Sequence, residues 1–167
     1  MAKVLPIYIY PAPVLDQPAK EVSLEDIKKP QFQRLILDMV ATMIKKDGIG
    51  LAATQVGQNL RLCVINTQDG NLILINPKII KYSWKKQVSE EGCLSVPGVF
   101  GLVKRAWRIQ IAALDSKGRK LNFKAEGLFA RVVQHELDHL AGILFIKKAK
   151  KITQGRDTLT EYERKST

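Results

Sequence analysis

This 167-residue chain contains two histidines and two cysteines, and three of these four residues stand where they could do chemistry. Both histidines belong to His135-Glu136-Leu137-Asp138-His139. On a helix, residues four apart share a face, so both imidazoles can reach one ion. Glu136, between them, lies close enough to act on water at that ion without being a ligand. The surroundings (Leu128, Phe129, Val132, Val133, Leu140) are apolar. Burying two imidazoles and two carboxylates there without an ion or partners would be costly, so a metal site outweighs a chance pattern on a charged helix. Three protein ligands and an open position are the usual catalytic minimum. No third histidine remains, and Glu161 and Glu163 lie in a polar terminal segment. Cys93, within Glu91-Gly92-Cys93-Leu94-Ser95-Val96-Pro97, is the better third ligand, because a thiolate binds Fe(II) or Zn(II) strongly. Taken alone it reads equally well as a buried structural thiol. Cys63 lies in the strand-like run Leu60 to Ile65 and reads as a packed free thiol.

The elements that must position these groups follow from periodicity. Phe32, Leu35, Ile36, Met39, Val40 and Met43 recur at helical spacing, predicting a long N-terminal helix from Pro30 to about Lys46, stopped by Asp47-Gly48. A second helix is predicted from about Glu126 to Ala141, with Gly142 past its end and Leu128, Val132, His135 and His139 on one stripe. Between them, Leu60–Asn66, Leu72–Asn76, Arg108–Leu114 and Leu121–Phe123 read as strands. Turns at Asp69-Gly70 and Lys117-Gly118 make them antiparallel hairpins. The fold class is α+β, with antiparallel strands packed around a central metal-binding helix. Residues 1–20 are Pro-rich and read as extended chain. No linker divides the sequence, so residues 1–147 are expected to form one catalytic domain and 148–167 a basic tail.

Composition excludes several classes. No stretch approaches the ~20 apolar residues of a membrane span. Pro6, Pro11 and Pro13 break the apolar start, which lacks the features of a secretory signal, so a cytoplasmic location is expected. Two cysteines make no disulfide framework. The net charge of +11 favours polyanions in general. Residues 146–167 carry seven lysines and arginines against three acids. Stacking aromatics do not interleave with the basic runs, so no sequence-specific nucleic-acid groove is expected.

Three segments together resemble the signature motifs of the peptide deformylases: Gly48-Ile49-Gly50-Leu51-Ala52-Ala53-Thr54-Gln55, Glu91-Gly92-Cys93-Leu94-Ser95, and Gln134-His135-Glu136-Leu137-Asp138-His139-Leu140. Tyr10-Pro11-Ala12-Pro13-Val14-Leu15 also looks like that family's N-terminus. The resemblance implies metal ligation by Cys93, His135 and His139, with Fe2+ as the usual ion and Zn2+ or Ni2+ as substitutes. It implies removal of the formyl group from the N-terminal formyl-methionine of nascent polypeptides. Glu136 would be the general base acting with metal-activated water, and Gln55 and the Leu94 backbone N–H would stabilise the oxyanion. The Gly50 backbone would pair with N-formyl-methionyl peptides, and Ile49, Glu91, Leu128 and Val132 would line the methionine pocket. Arg105 is a candidate partner for Glu91 or Asp138. In some members a basic C-terminal segment contacts the ribosome; here Lys147 to Lys151 would supply it. One departure from the family pattern is Gly98-Val99-Phe100-Gly101, where some members carry polar residues, and it implies a more apolar rim. An HExxH metalloprotease whose third ligand is not Cys93, and a basic RNA-binding protein with a closed structural metal site, are the alternatives from other classes.

Overall fold

The computed structural model describes residues 2–165 and has an α+β architecture of antiparallel sheets and four helices. Strands β1 (Gly50–Ala52), β2 (Leu62–Thr67), β3 (Gly70–Tyr82), β6 (Arg108–Leu114) and β7 (Lys120–Glu126) form a five-stranded sheet in the order β1-β2-β3-β6-β7. Strands β4 (Lys86–Cys93), β5 (Val96–Ala106) and β8 (Lys151–Gln154) form a second sheet in the order β4-β5-β8. The helices are α1 (Leu24–Ile27), α2 (Pro30–Lys45), α3 (Gly127–Leu140) and α4 (Arg156–Arg164). Among the described residues, no helix is long and apolar enough to cross a membrane.

The alternation in β2 explains how two helices share one sheet. Leu62 and Val64 pack with Phe32, Ile36, Met39 and Met43 of α2. Cys63 and Ile65 point to the other side and pack with Ala130, Val133 and Leu140 of α3, beside Leu74, Ile109 and Ile111. A strand covered on both faces reads as an unbroken apolar run, as Leu62–Ile65 does. The Cys63 thiol is therefore core, fully buried and unpaired.

The β4–β5 hairpin has no counterpart among the runs that periodicity picks out. Half of the β4 residues are exposed and Val88 is its one apolar side chain before Cys93, so it shows no apolar alternation, and backbone pairing from Lys86↔Ala106 to Cys93↔Val96 holds it instead. Its tip places Cys93 at the strand end, with Leu94 and Ser95 making the turn. Gln134 of α3 fastens this hairpin to the helix: its side chain accepts from the Ala106 N–H at 3.0 Å and donates to the Ala106 carbonyl at 2.9 Å.

The residues after 147 are built into the second sheet. β8 pairs with β5 at Phe100↔Gln154, Gly101↔Ile152 and Leu102↔Lys151, and Leu159 of α4 is buried beside Val99 and Phe145. Ser166 and Thr167 of the 148–167 segment lie outside the described residues. At the β8–α4 junction Gly155 has φ +78°, and a Cβ there would overlap the Gly98 carbonyl. Gly155→Ala should therefore cost more than about 1 kcal/mol of stability, seen as a lower urea midpoint at unchanged m-value. An unchanged midpoint would show that this junction moves freely.

Candidate metal centre

His135 and His139 lie one turn apart on α3, with ring centroids 4.9 Å apart. The Cys93 sulfur sits 3.2 Å from His139 Nε2, and the ligand atoms of Cys93, His135 and His139 all lie within 4.8 Å of one another. Bonds of about 2.0–2.3 Å from a thiolate and two imidazoles to one ion fit that spacing. His139 is buried, and burial pushes its pKa well down, which keeps the imidazole neutral as ligation requires. Burial would also lower His135, but hydrogen bonds to Cys93 and Glu91 outweigh it and pull this ring well up. A cation seated between the ligands would answer the same negative surroundings.

Glu91 organises the groups behind the cluster. Its carboxylate accepts from Arg105 Nε and Nη2, both at 2.9 Å, from Arg131 Nη1 at 2.7 Å, and lies 2.9 Å from His135 Nδ1. Arg105 also reaches Asp138, so it joins both acids that the sequence offered as partners. Arg131 was not foreseen. It stands four residues before His135, on the same helical face, and that spacing was the available signal. Its guanidinium also donates to the Val103 and Gln87 carbonyls at 3.0 and 3.1 Å, holding β4 and β5 against α3.

Burial alone would raise the Glu91 carboxyl, but hydrogen bonds from Arg105 and His135 and the Arg105 charge hold it well below its ordinary 4.5. A depressed carboxyl stabilises the fold above its unfolded value and loses that contribution as pH falls through the folded one. Glu91→Gln should cost roughly 3–5 kcal/mol near neutrality, because it leaves buried guanidinium charge uncompensated. Urea midpoints should then fall less steeply in the variant as pH drops below about 4.5, where the wild type begins to lose this contribution. Parallel pH profiles for the two proteins would refute the assignment.

Glu136 is 3% exposed, and its Oε2 has no hydrogen-bond partner. Burial pushes its carboxyl up to about 7, with the His135 and Arg105 charges opposing and Glu91 reinforcing. The group lines a cavity of about 730 Å³ together with Cys93, His135, Gln55, Leu94, Gly50, Ile49, Glu91, Leu128 and Val132. Of the residues the sequence singled out for the site, only His139 and the partner residue Arg105 do not line it, and both are buried. Leu128 and Ile49 stand at the rim, 65% and 53% exposed. Of the Gly98–Gly101 segment, Gly98 and Phe100 line the cavity while Val99 turns into the core. Ile7 and Ile9 of the N-terminal arm also line it.

Gln55 is buried in the 3-10 turn Ala53–Val56. Its Oε1 accepts from the Ala52 N–H at 2.9 Å, and its Nε2 donates to Ser95 Oγ at 3.1 Å and lies 3.5 Å from Cys93 Sγ. Ser95, also not foreseen, fixes which end of that amide faces the sulfur. A Cβ on Gly50 would overlap the Glu136 carboxylate, so only glycine lets β1 pass this close. Gly50→Ala should displace Glu136 and lower turnover by about 100-fold, with metal content intact. Wild-type turnover in that variant would mean the carboxylate can move without consequence.

The model of the family described as polypeptide deformylase matches residues 4–155. The chain belongs to the polypeptide deformylase family. A peptide deformylase from Dictyoglomus thermophilum is 48% identical over 137 residues, 82% of this chain and 87% of that one. A deformylase from Synechococcus elongatus, solved in complex with actinonin, superposes with a TM-score of 0.84 at 41% identity, covering 96% of this chain and 85% of that one. The Met-Ala-Ser-bound class I type b deformylase from Acinetobacter baumannii gives a TM-score of 0.85 at 34% identity, covering 89% and 99%. Deformylases are enzymes that act on N-formyl-methionine peptides, and they are metal-dependent. A Cys-His-His group able to hold an ion stands in this member where such chemistry needs it. The unpartnered Glu136 oxygen beside that group is a second sign of fit, since a buried acceptor left without a donor is costly.

Proposed function

We propose that the chain removes the formyl group from the N-terminal formyl-methionine of nascent polypeptides, releasing formate and a free amine. The observation that carries this reading is the buried Glu136 carboxylate, its Oε2 unpartnered, lining one cavity with Cys93 and His135 of the Cys93, His135 and His139 cluster. Cys93, His135 and His139 hold the ion, which we take to be Fe2+ with Zn2+ or Ni2+ as substitutes. When bound, it supplies Lewis acidity that activates water and polarises the formyl oxygen. Glu136 takes the proton from the attacking water and delivers it to the departing nitrogen. A carboxyl tuned to about 7 is suited to both transfers near neutrality. The Gln55 amide and the Leu94 backbone N–H donate to the developing oxyanion; Ser95 occupies one direction of the Gln55 donor and leaves its NH2 oriented.

The Gly50 backbone binds the peptide as an added strand, and Ile49, Leu128, Val132 and Glu91 enclose the methionine side chain. The A. baumannii relative's Met-Ala-Ser complex supports a peptide of that length in the cavity. A cytoplasmic location and a ribosome contact through Lys150 and Lys151 belong to the same reading. Lys147 and Lys148 are engaged with Asp16 and Asp138.

The test is anaerobic. The protein is reconstituted with Fe(II), Zn(II) or Ni(II), given formyl-Met-Ala-Ser, and formate is measured beside an acetyl-Met control. Rapid formate release with little acetate establishes the activity. No formate from folded, metal-loaded protein overturns it. Cleavage of internal peptide bonds would restore the metalloprotease alternative.

A further inference from the structure

The site uses neither of the chain's tryptophans, and Trp84 is 98% exposed. It stands on the connection between β3 and β4, within Ile80-Lys81-Tyr82-Ser83-Trp84-Lys85-Lys86. Aromatic and basic residues interleave here, as they do again around Trp107 in Lys104-Arg105-Ala106-Trp107-Arg108, contrary to the expectation from the longer basic runs. The connection is pinned rather than loose. Ser83 N–H donates to the Arg108 carbonyl at 2.9 Å, and Trp107 N–H donates to the Lys85 carbonyl at 2.9 Å. Ser83 Oγ donates to the Lys85 carbonyl at 2.8 Å and accepts from the Arg108 N–H at 3.0 Å. Lys86 Nζ donates to the Ser83 carbonyl at 3.2 Å. The Lys85 ammonium lies 4.4 Å from the centre of the Trp107 ring. An indole is thus held out into solvent on a braced turn, at a cost in exposed apolar surface that the fold gains nothing from.

We propose that this turn is a binding site for single-stranded RNA, with a base stacked on Trp84 and phosphates on Lys81, Lys85 and Lys86. Charge complementarity selects the occupant. Arg108 is matched by Glu126, whereas none of those three lysines has a carboxylate partner among the described residues. A second copy of a chain with net charge +11 would meet like charge here. A membrane anchor gains affinity with the apolar area it inserts, and one indole on a polar turn offers little. Stacking needs only one ring face and suits any base. The turn is separate from the cavity, none of whose lining residues lies between Lys81 and Lys86. It does not depend on the deformylase reading.

The test uses the full, metal-loaded chain and a fluorescently labelled oligouridylate, with binding followed by anisotropy. Log affinity against log salt should fall with a slope of about −2, at about 0.7 per lysine. Trp84→Ala should weaken binding about tenfold and Trp84→Phe much less, while turnover of the wild-type reaction stays unchanged in both. Each of Lys81→Gln, Lys85→Gln and Lys86→Gln should reduce the slope by about 0.7. Affinity unaffected by Trp84→Ala, or lost instead in a Lys150→Gln/Lys151→Gln variant, would overturn the assignment. So would absence of RNA binding, or binding to phosphatidylglycerol vesicles in its place.

Discussion

Glu136→Gln is expected to lower formate release by about 10²- to 10⁴-fold and to leave the metal in place. The glutamine amide keeps the volume of the carboxylate but cannot take a proton from water or return one to nitrogen. Cys93, His135 and His139 supply the ligand atoms without it, so metal content by elemental analysis should match the wild type. Stability supplies an independent readout. The carboxyl is raised to about 7 from its ordinary 4.5, mainly by burial. A raised acid makes the fold most stable below the unfolded value, and that stability is lost as pH rises from about 4.5 to about 7. In the metal-free protein, the glutamine variant should therefore equal or exceed the wild type in stability at about pH 8, where the wild type must bury a charge. A variant that is both inactive and unstable there would mean that Glu136 serves packing. Undiminished turnover would remove it from the chemistry.

Cys93→Ala is expected to weaken metal binding by more than about 100-fold and to abolish turnover with it. Loss of an outer partner of a metal ligand costs 10- to 100-fold, and loss of a ligand exceeds that. The residue sits at a hairpin tip and is only half-buried, so backbone pairing of β4 with β5 should preserve the fold. Cys63→Ala is the matched control. It removes a fully buried thiol from the core, so it should lower stability while binding metal normally. Unchanged affinity in Cys93→Ala, measured by competition with a chelator, would place the third ligand elsewhere and favour the metalloprotease alternative.

The two kinds of element differ in how far they could be read from sequence. The helix bearing His135 and His139 was bounded from its apolar spacing to within a residue at each end, Glu126–Ala141 against Gly127–Leu140. Strand β6 was read as Arg108–Leu114, as found. β4 and β5 gave no such signal: Val88 is the one apolar side chain of β4 before Cys93, and the buried face of the central strand β5 (Val99, Gly101, Val103 and Arg105) includes a glycine and an arginine that do not read as apolar. The basic segment after residue 147 reads as a solvated end by charge alone. Its isolated apolar residues, Ile152 and Leu159, find neighbours only once β8 lies against β5.

Residue order alone determined that two imidazoles and a carboxylate share one helical face, because 3.6 residues per turn fixes that relation within five positions. It also held the three motifs by which the family is recognised. Tertiary structure decided that Cys93, 46 residues away in sequence, lies 3.2 Å from His139 Nε2. That distance depends on the register of the β4–β5 ladder and on the Gln134 clasp at Ala106. It decided too that Arg105 serves Glu91 and Asp138 together, and that Arg131 joins them. Short-range geometry follows from the backbone's few allowed dihedrals. Long-range juxtaposition and the balance of buried charge come from packing summed over the whole chain, which no local pattern encodes.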